Sequence, residues 1–121
     1  MANYLYDNIF GTFAESSKPF LITPSGTISY SEFSAQTSRI ANILITAGIA
    51  PGDRVAVQAE KSVTQLALYA ATVKAGGVYL PLNTGYTPTE VDYFLKDAKP
   101  AVIVVSQTSK KAIAPFAAHL K

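Results

Sequence analysis

The stretch VKAGGVYLPLN, residues 73–83, decides how the chain is read. Two adjacent glycines separate a helical stripe from a short apolar run that ends in proline. The spacing predicts that the helix over about 63–75 ends at Gly76, which takes the left-handed conformation that satisfies free carbonyls at a helix terminus. Gly77 then lets the chain enter the strand VYLP without a Cβ in the way. A helix that passes into a strand through two residues is the signature of a tight α/β connection.

Upstream of this junction, Leu66, Tyr69, Ala70 and Val73 recur at helical spacing, and Ser62 with Gln65 reads as a capping box. Before it lie the turn Pro51-Gly52-Asp53 and RVAVQA, a buried-strand candidate. Ser29 with Glu32 opens an earlier helix whose core face is Phe33, Thr37, Ile40, Ala41, Leu44 and Ala47, closed by Gly48. FLIT and TISY flank Pro24-Ser25-Gly26 and read as a β-hairpin. At the start, Leu5, Ile9, Phe10 and Phe13 suggest a helix within residues 3–14, weakened by Gly11.

Downstream, Thr87-Pro88-Thr89-Glu90 is a helix start with proline at the first helical position, followed by a buried face of Val91, Phe94, Leu95 and Ala98. Pro100 ends that helix, and AVIVV is the most β-branched strand in the chain. A last helix is expected from about Ser109, with Pro115 limiting its first turn. Strand and helix alternate three times after the hairpin. The expected fold is α/β: a mostly parallel sheet covered by helices, preceded by a β-hairpin. RVAVQA and AVIVV are apolar on both faces, as a covered sheet requires.

With 121 residues, 49% of them hydrophobic and 15% charged, the chain can form one packed domain. The net charge of +2 is too small to point to nucleic acid. Lys96, Lys99, Lys110, Lys111 and Lys121, opposed by Asp97, read as solvated surface. The absence of cysteine excludes a disulfide framework, a thiolate metal site and a cysteine nucleophile. MANYLYDNIF does not resemble a secretory signal, and no apolar run approaches the ~18 residues of a membrane span. A soluble, cytoplasmic protein without a membrane partner is expected.

Ligands of open parallel sheets gather at the carboxyl ends of strands. Here those ends are Glu60-Lys61-Ser62, Leu82-Asn83-Thr84 and Ser106-Gln107-Thr108. Ser62 reads as a helix cap rather than a nucleophile, since nothing completes a triad around it. His119, the single histidine, lies among alanines near the end of the chain and reads as a surface residue. No GxGxxG or GxxxxGK[ST] occurs, and PSGT at 24–27 reads as a hairpin turn. On residues alone no catalytic, cofactor-binding or metal-ligating residue is assigned, and a free-standing α/β binding module fits.

The order of motifs nonetheless resembles the AMP-forming acyl-CoA synthetase and adenylation-domain superfamily. Ser29-Tyr30-Ser31-Glu32-Phe33 is similar to its early Thr/Ser-Tyr-x-Glu-Leu box, with Phe33 in place of leucine. Lys74 through Asn83 match Lys-Ala-Gly-x-x-Tyr/Val-x-Pro-Leu-Asn/Asp, and the segment Gly48 to Val57 between them is also typical. Val57 to Ser62, Pro81 to Thr87 and Asp92-Tyr93-Phe94 resemble the malonyl-CoA synthetases within that superfamily.

The resemblance implies a parent enzyme that uses ATP, magnesium and CoA to activate malonate or a related small carboxylate through an acyl-adenylate. A fatty-acyl, aryl or amino-acid activating relative is the alternative. The family's phosphate loop, adenine-binding segment, ribose-binding aspartate, hinge and C-terminal catalytic lysine have no counterpart here. Residues 1–121 therefore resemble a single N-terminal α/β subdomain, with the remainder of the synthetase as its partner and no activity of its own expected.

Overall fold

The computed structural model describes residues 3–117. Its elements are α1 (Tyr4–Ile9), β1 (Pro19–Thr23), β2 (Gly26–Ser29), α2 (Tyr30–Thr46), β3 (Arg54–Gln58), α3 (Val63–Lys74), β4 (Val78–Pro81), α4 (Pro88–Ala98), β5 (Val102–Val105) and α5 (Gln107–Ile113), with 3₁₀ turns at Gly11–Phe13 and Ala114–Phe116. β1 and β2 form the antiparallel hairpin. The other three strands form a wholly parallel sheet in the order β4-β3-β5.

β3 is central, and its side chains alternate between two cores. Val55 and Val57 pack with Val102 against Ala41 and Leu44 of α2 and Leu68 and Ala71 of α3. Ala56 faces the other way, towards Val91 and Leu95 of α4 and Ile113 of α5. One helix pair thus covers each face, which is why β3 reads as an unbroken apolar run. A third cluster places the aromatic rings of the hairpin and α1 on the outer side of α2 and α3, through Tyr6, Phe33, Ala67 and Ala70.

The double glycine does what its position predicts. Gly76 has φ +85, and its N–H donates to the Val73 carbonyl at 3.0 Å while that of Gly77 donates to Thr72 at 2.9 Å. This is the Schellman closure of α3. Gly77 has no left-handed φ; a Cβ there would meet the Asp53 carbonyl oxygen and Thr72 Cγ2 at 3.2 Å. The same closure ends α2, where Gly48 (φ +97) donates to Ile45 and Ile49 donates to Leu44.

Four expectations need correction. The first helix stops at Ile9, and Leu5, Ile9 and Phe13 are exposed while Tyr6 is buried. Asn3 sets this rotation: its Oδ1 accepts from Tyr6 N–H at 3.1 Å and its Nδ2 donates to the Val73 carbonyl at 2.7 Å. On α3, Leu66 is exposed and Tyr69 half-buried, while Ala67, Leu68, Ala70, Ala71 and Thr72 are buried with Val73. The alanines let α2 and α3 approach closely, a signal that weighting by side-chain size overlooks.

The Ser62 box is only half formed. Ser62 Oγ accepts from Gln65 N–H at 3.0 Å, but Gln65 Nε2 reaches the Ala59 carbonyl instead of returning to the cap. The boxes at Ser29–Glu32 and Thr87–Glu90 are complete. The last helix begins at Gln107 rather than near Ser109, and Pro115 lies in the 3₁₀ turn that follows it.

Candidate functional site

The carboxyl ends of β3, β4 and β5 meet around Gln58. This side chain is buried, and its Nε2 donates to the Asn83 carbonyl at 2.9 Å and to that of Tyr86 at 3.4 Å. The backbone carbonyl of Gln58 accepts from Ser106 N–H at 3.2 Å. One residue therefore ties the loop after β4 and the end of β5 to the central strand. A buried amide needs partners on its polar atoms, and backbone carbonyls leaving a strand supply them. The motif reading passed over Gln58; a lone amide inside RVAVQ was the available signal.

The residues considered from sequence divide sharply at this edge. Ser62 is a helix cap, and Glu60 and Lys61 beside it are exposed. Asn83 contributes its carbonyl to Gln58 and its Oδ1 to Gly85 N–H at 2.8 Å, while Thr84 is exposed. Ser106 Oγ shares a hydrogen with Thr108 at 3.0 Å and donates to Ser109 Oγ at 3.2 Å. PSGT is a hairpin turn closed by Thr23 Oγ1 donating to the Gly26 carbonyl at 2.8 Å. Of the lysines considered, Lys96 pairs with Asp92 at 2.8 Å. His119 and Lys121 lie outside the described residues.

Beside this edge is a cleft of about 380 Å³ lined by Lys61, Gln65, Leu66, Tyr69, Tyr79 and Pro81 among others. Tyr69 and Tyr79 meet edge to face at 5.2 Å. Burial pushes the Tyr79 hydroxyl up from its ordinary pKa, and a hydrogen bond with Gln65 partly offsets this. Among the described residues no group of three or more histidines, cysteines or carboxylates could hold a metal ion. At the carboxyl edge the side chains of Gln58, Ser62, Asn83 and Ser106 are engaged with backbone groups or with neighbouring hydroxyls. What this arrangement does is hold three strand ends in register.

Against that geometry, a family model described as AMP-binding enzyme matches residues 13–121. The chain belongs to the AMP-binding enzyme family. In structure the family member MatB from Rhodopseudomonas palustris, solved without ligand and with ATP bound, superposes on the whole chain with a TM-score of 0.93 and 45% identity. The chain corresponds to the N-terminal part of that adenylate-forming fold and covers 25% of the MatB chain. A Mycobacterium tuberculosis fatty acyl CoA synthetase is 29% identical with a TM-score of 0.78; 92% of this chain and 22% of that one are covered. The dimodular nonribosomal peptide synthase of Bacillus subtilis is 33% identical over 88 residues, 73% of this chain and 4% of its own length. The chain thus spans a quarter or less of these AMP-binding relatives.

Proposed function

We propose that residues 1–121 are one N-terminal subdomain of an AMP-forming acid–thiol ligase, with the reacting groups on the remainder of the parent chain. That parent joins a carboxylate to the α-phosphate of ATP, releasing pyrophosphate, and then transfers the acyl group to the thiol of CoA, releasing AMP. ATP, magnesium and CoA are its requirements, and the cytoplasm is its place. The observation that carries this reading is the whole-chain likeness to ATP-bound MatB, of which this chain covers a quarter.

Malonate is the proposed acid. Val57 to Ser62, Pro81 to Thr87 and Asp92-Tyr93-Phe94 support it through their resemblance to malonyl-CoA synthetases. The higher identity to MatB, 45% against 29% to the fatty acyl CoA synthetase, supports malonate over the fatty-acyl alternative. The second carboxylate of a dicarboxylic acid needs a cationic partner in the pocket, since an unpaired charge is costly to bury. An amino-acid activating parent is the second reading, favoured by the match to the nonribosomal peptide synthase.

Pyrophosphate exchange tests both levels. With ATP, magnesium and malonate, the intact parent exchanges pyrophosphate and the 121-residue chain does not exceed a no-enzyme control. Exchange by the short chain overturns the scaffold reading. A higher kcat/KM of the parent for octanoate, benzoate or an amino acid than for malonate moves the assignment to the corresponding relative.

A further inference from the structure

The face of α3 that turns towards β4 is only partly used by the fold. Ser62, Gln65, Leu66 and Tyr69 follow one another at the spacing of a single helix face. Leu66 is nevertheless exposed and Tyr69 half-buried, because the alanines beside them take the core contacts. Across from this face, Tyr79 and Pro81 of β4 stand in register with Val55 and Val57 and point to the same side of the sheet as α3. β4 is an edge strand among the described residues, so no further strand closes the space between it and α3. The cleft of about 380 Å³ is the result.

Its walls suit a flat apolar ring. Tyr69 is held edge-on between Phe10 at 6.3 Å and Tyr79 at 5.2 Å, so the two tyrosine rings are fixed before anything binds. Leu66 and Pro81 add aliphatic surface. The charge in the lining has one sign. Lys61 is exposed there and forms no salt bridge among the described residues. No carboxylate belongs to the described lining, and the first turn of α3 holds none; Glu60, the neighbour in sequence, is exposed and outside it. Burial raises the pKa of the Tyr79 hydroxyl, so it brings no negative charge. The amino end of α3, capped by Ser62 within the lining, also favours an anion. The volume lies near the lower end of the roughly 300–1,000 Å³ usual for ligand pockets, room for one or two fused rings.

We propose that this cleft binds a small aromatic carboxylate, with its ring against Tyr69, Tyr79 and Leu66 and its carboxylate at Lys61. The binding does not depend on which acid the parent activates. With malonate as that acid, the aromatic one is a second ligand, since malonate has no ring to fill the cleft.

The test is a titration of the intact parent, carrying isotope-labelled leucine methyls, with naphthoate. Nuclear Overhauser contacts run from the naphthoate ring protons to the Leu66 methyls, which Leu66→Met assigns. Lys61→Gln raises the dissociation constant about tenfold, and so does replacing naphthoate by its neutral amide. Octanoate binds more weakly than naphthoate by a similar factor, because it cannot stack on fixed rings. Absence of any contact at Leu66, as when other parts of the parent fill the cleft, overturns the inference. Equal affinity for naphthoate and its amide also overturns it, in a comparison that needs no variant to fold. Octanoate binding as tightly as naphthoate overturns the aromatic assignment. A parent that shows the Leu66 contact but exchanges no pyrophosphate with malonate loses the proposed function and keeps this site. The opposite pair of results keeps the function and removes the site.

Discussion

The two ends of the parallel sheet are made by different chemistry. At the amino end the chain enters each strand through a residue with positive φ: Gly48 and Gly52 before β3, Gly76 before β4 and Lys99 before β5. At the carboxyl end it leaves each strand through a hydroxyl-bearing N-cap: Ser62 and Thr87 accept a backbone N–H of the first turn, and Ser106 bonds the neighbouring Thr108 and Ser109 hydroxyls instead. Parallel strands joined by helices force this separation, because every helix that returns the chain ends where the next strand begins. Helix ends need left-handed closures, and helix starts need side-chain acceptors. The amino edge is therefore governed by backbone conformation, and the carboxyl edge by side-chain hydrogen bonds centred on Gln58.

The contrast is tested most severely at Gln58. Truncation in Gln58→Ala removes buried volume and takes the amide donor away from the Tyr86 carbonyl and from that of Asn83, which keeps only the Tyr86 N–H at 3.1 Å. A loss of about 3 kcal/mol is expected in denaturant melts. Gln58→Leu keeps most of the volume and loses only the hydrogen bonds, so about 1–2 kcal/mol is expected. Equal stability of the Gln58→Leu variant and the wild-type protein would remove the amide from its place as the organiser of the carboxyl edge.

The double glycine separates bulk from conformation within the amino edge. At Gly77 the obstacle is space, with the Asp53 carbonyl oxygen fixed in the backbone at 3.2 Å from an added Cβ. Cost should rise with side-chain size, reaching about 2–3 kcal/mol for Gly77→Val. At Gly76 the nearest atom is Pro51 Cα at 3.5 Å, an ordinary contact, and the obstacle is φ +85. Gly76→Val should cost about 2 kcal/mol and Gly76→Asn about 1, since asparagine tolerates the left-handed region. The order of asparagine and alanine is diagnostic: asparagine is the milder change at Gly76 and the harsher one at Gly77. In the intact parent, Gly76→Val should lower Tm with the KM for ATP nearly unchanged, because the glycine shapes the scaffold rather than the nucleotide site.

The two edges were not equally legible in the sequence. Glycine and proline act locally, so Gly48, Gly76 and the turn at Pro24-Ser25-Gly26 could be placed from their neighbours alone. Capping boxes are also local: the one expected at Ser29 formed in full, and the helix start read at Thr87-Pro88 holds a second complete box that was not anticipated. The one at Ser62 failed because Gln65 found the Ala59 carbonyl, a competitor that only the folded loop brings within 3.1 Å. Gln58 was passed over because its meaning comes from partners 25 and 28 residues away. The buried face of α3 was misjudged for a related reason. Ala67, Ala70 and Ala71 matter through how closely a second helix can approach, which no single helix discloses.

Lys99 provides the finest test of the amino edge, because it holds φ +48 where α2 and α3 use glycine. Its N–H donates to the Leu95 carbonyl at 3.0 Å and Pro100 follows, so the chain must turn there. A side chain in the left-handed region costs roughly 1–2 kcal/mol. Glycine removes that strain but gives the unfolded chain more freedom, which costs about 0.4–1 kcal/mol. The Lys99 side chain forms no salt bridge among the described residues, so these two terms decide the sign. Lys99→Gly should stabilise the chain by about 0.5 kcal/mol, raising Tm by about 2–4 °C. Lys99→Asn should give a smaller gain in the same direction, while Lys99→Val should lose stability. A destabilised Lys99→Gly variant would mean that the lysine stem contributes packing larger than its backbone strain, and that the amino edge of β5 is not governed by conformation as those of β3 and β4 are.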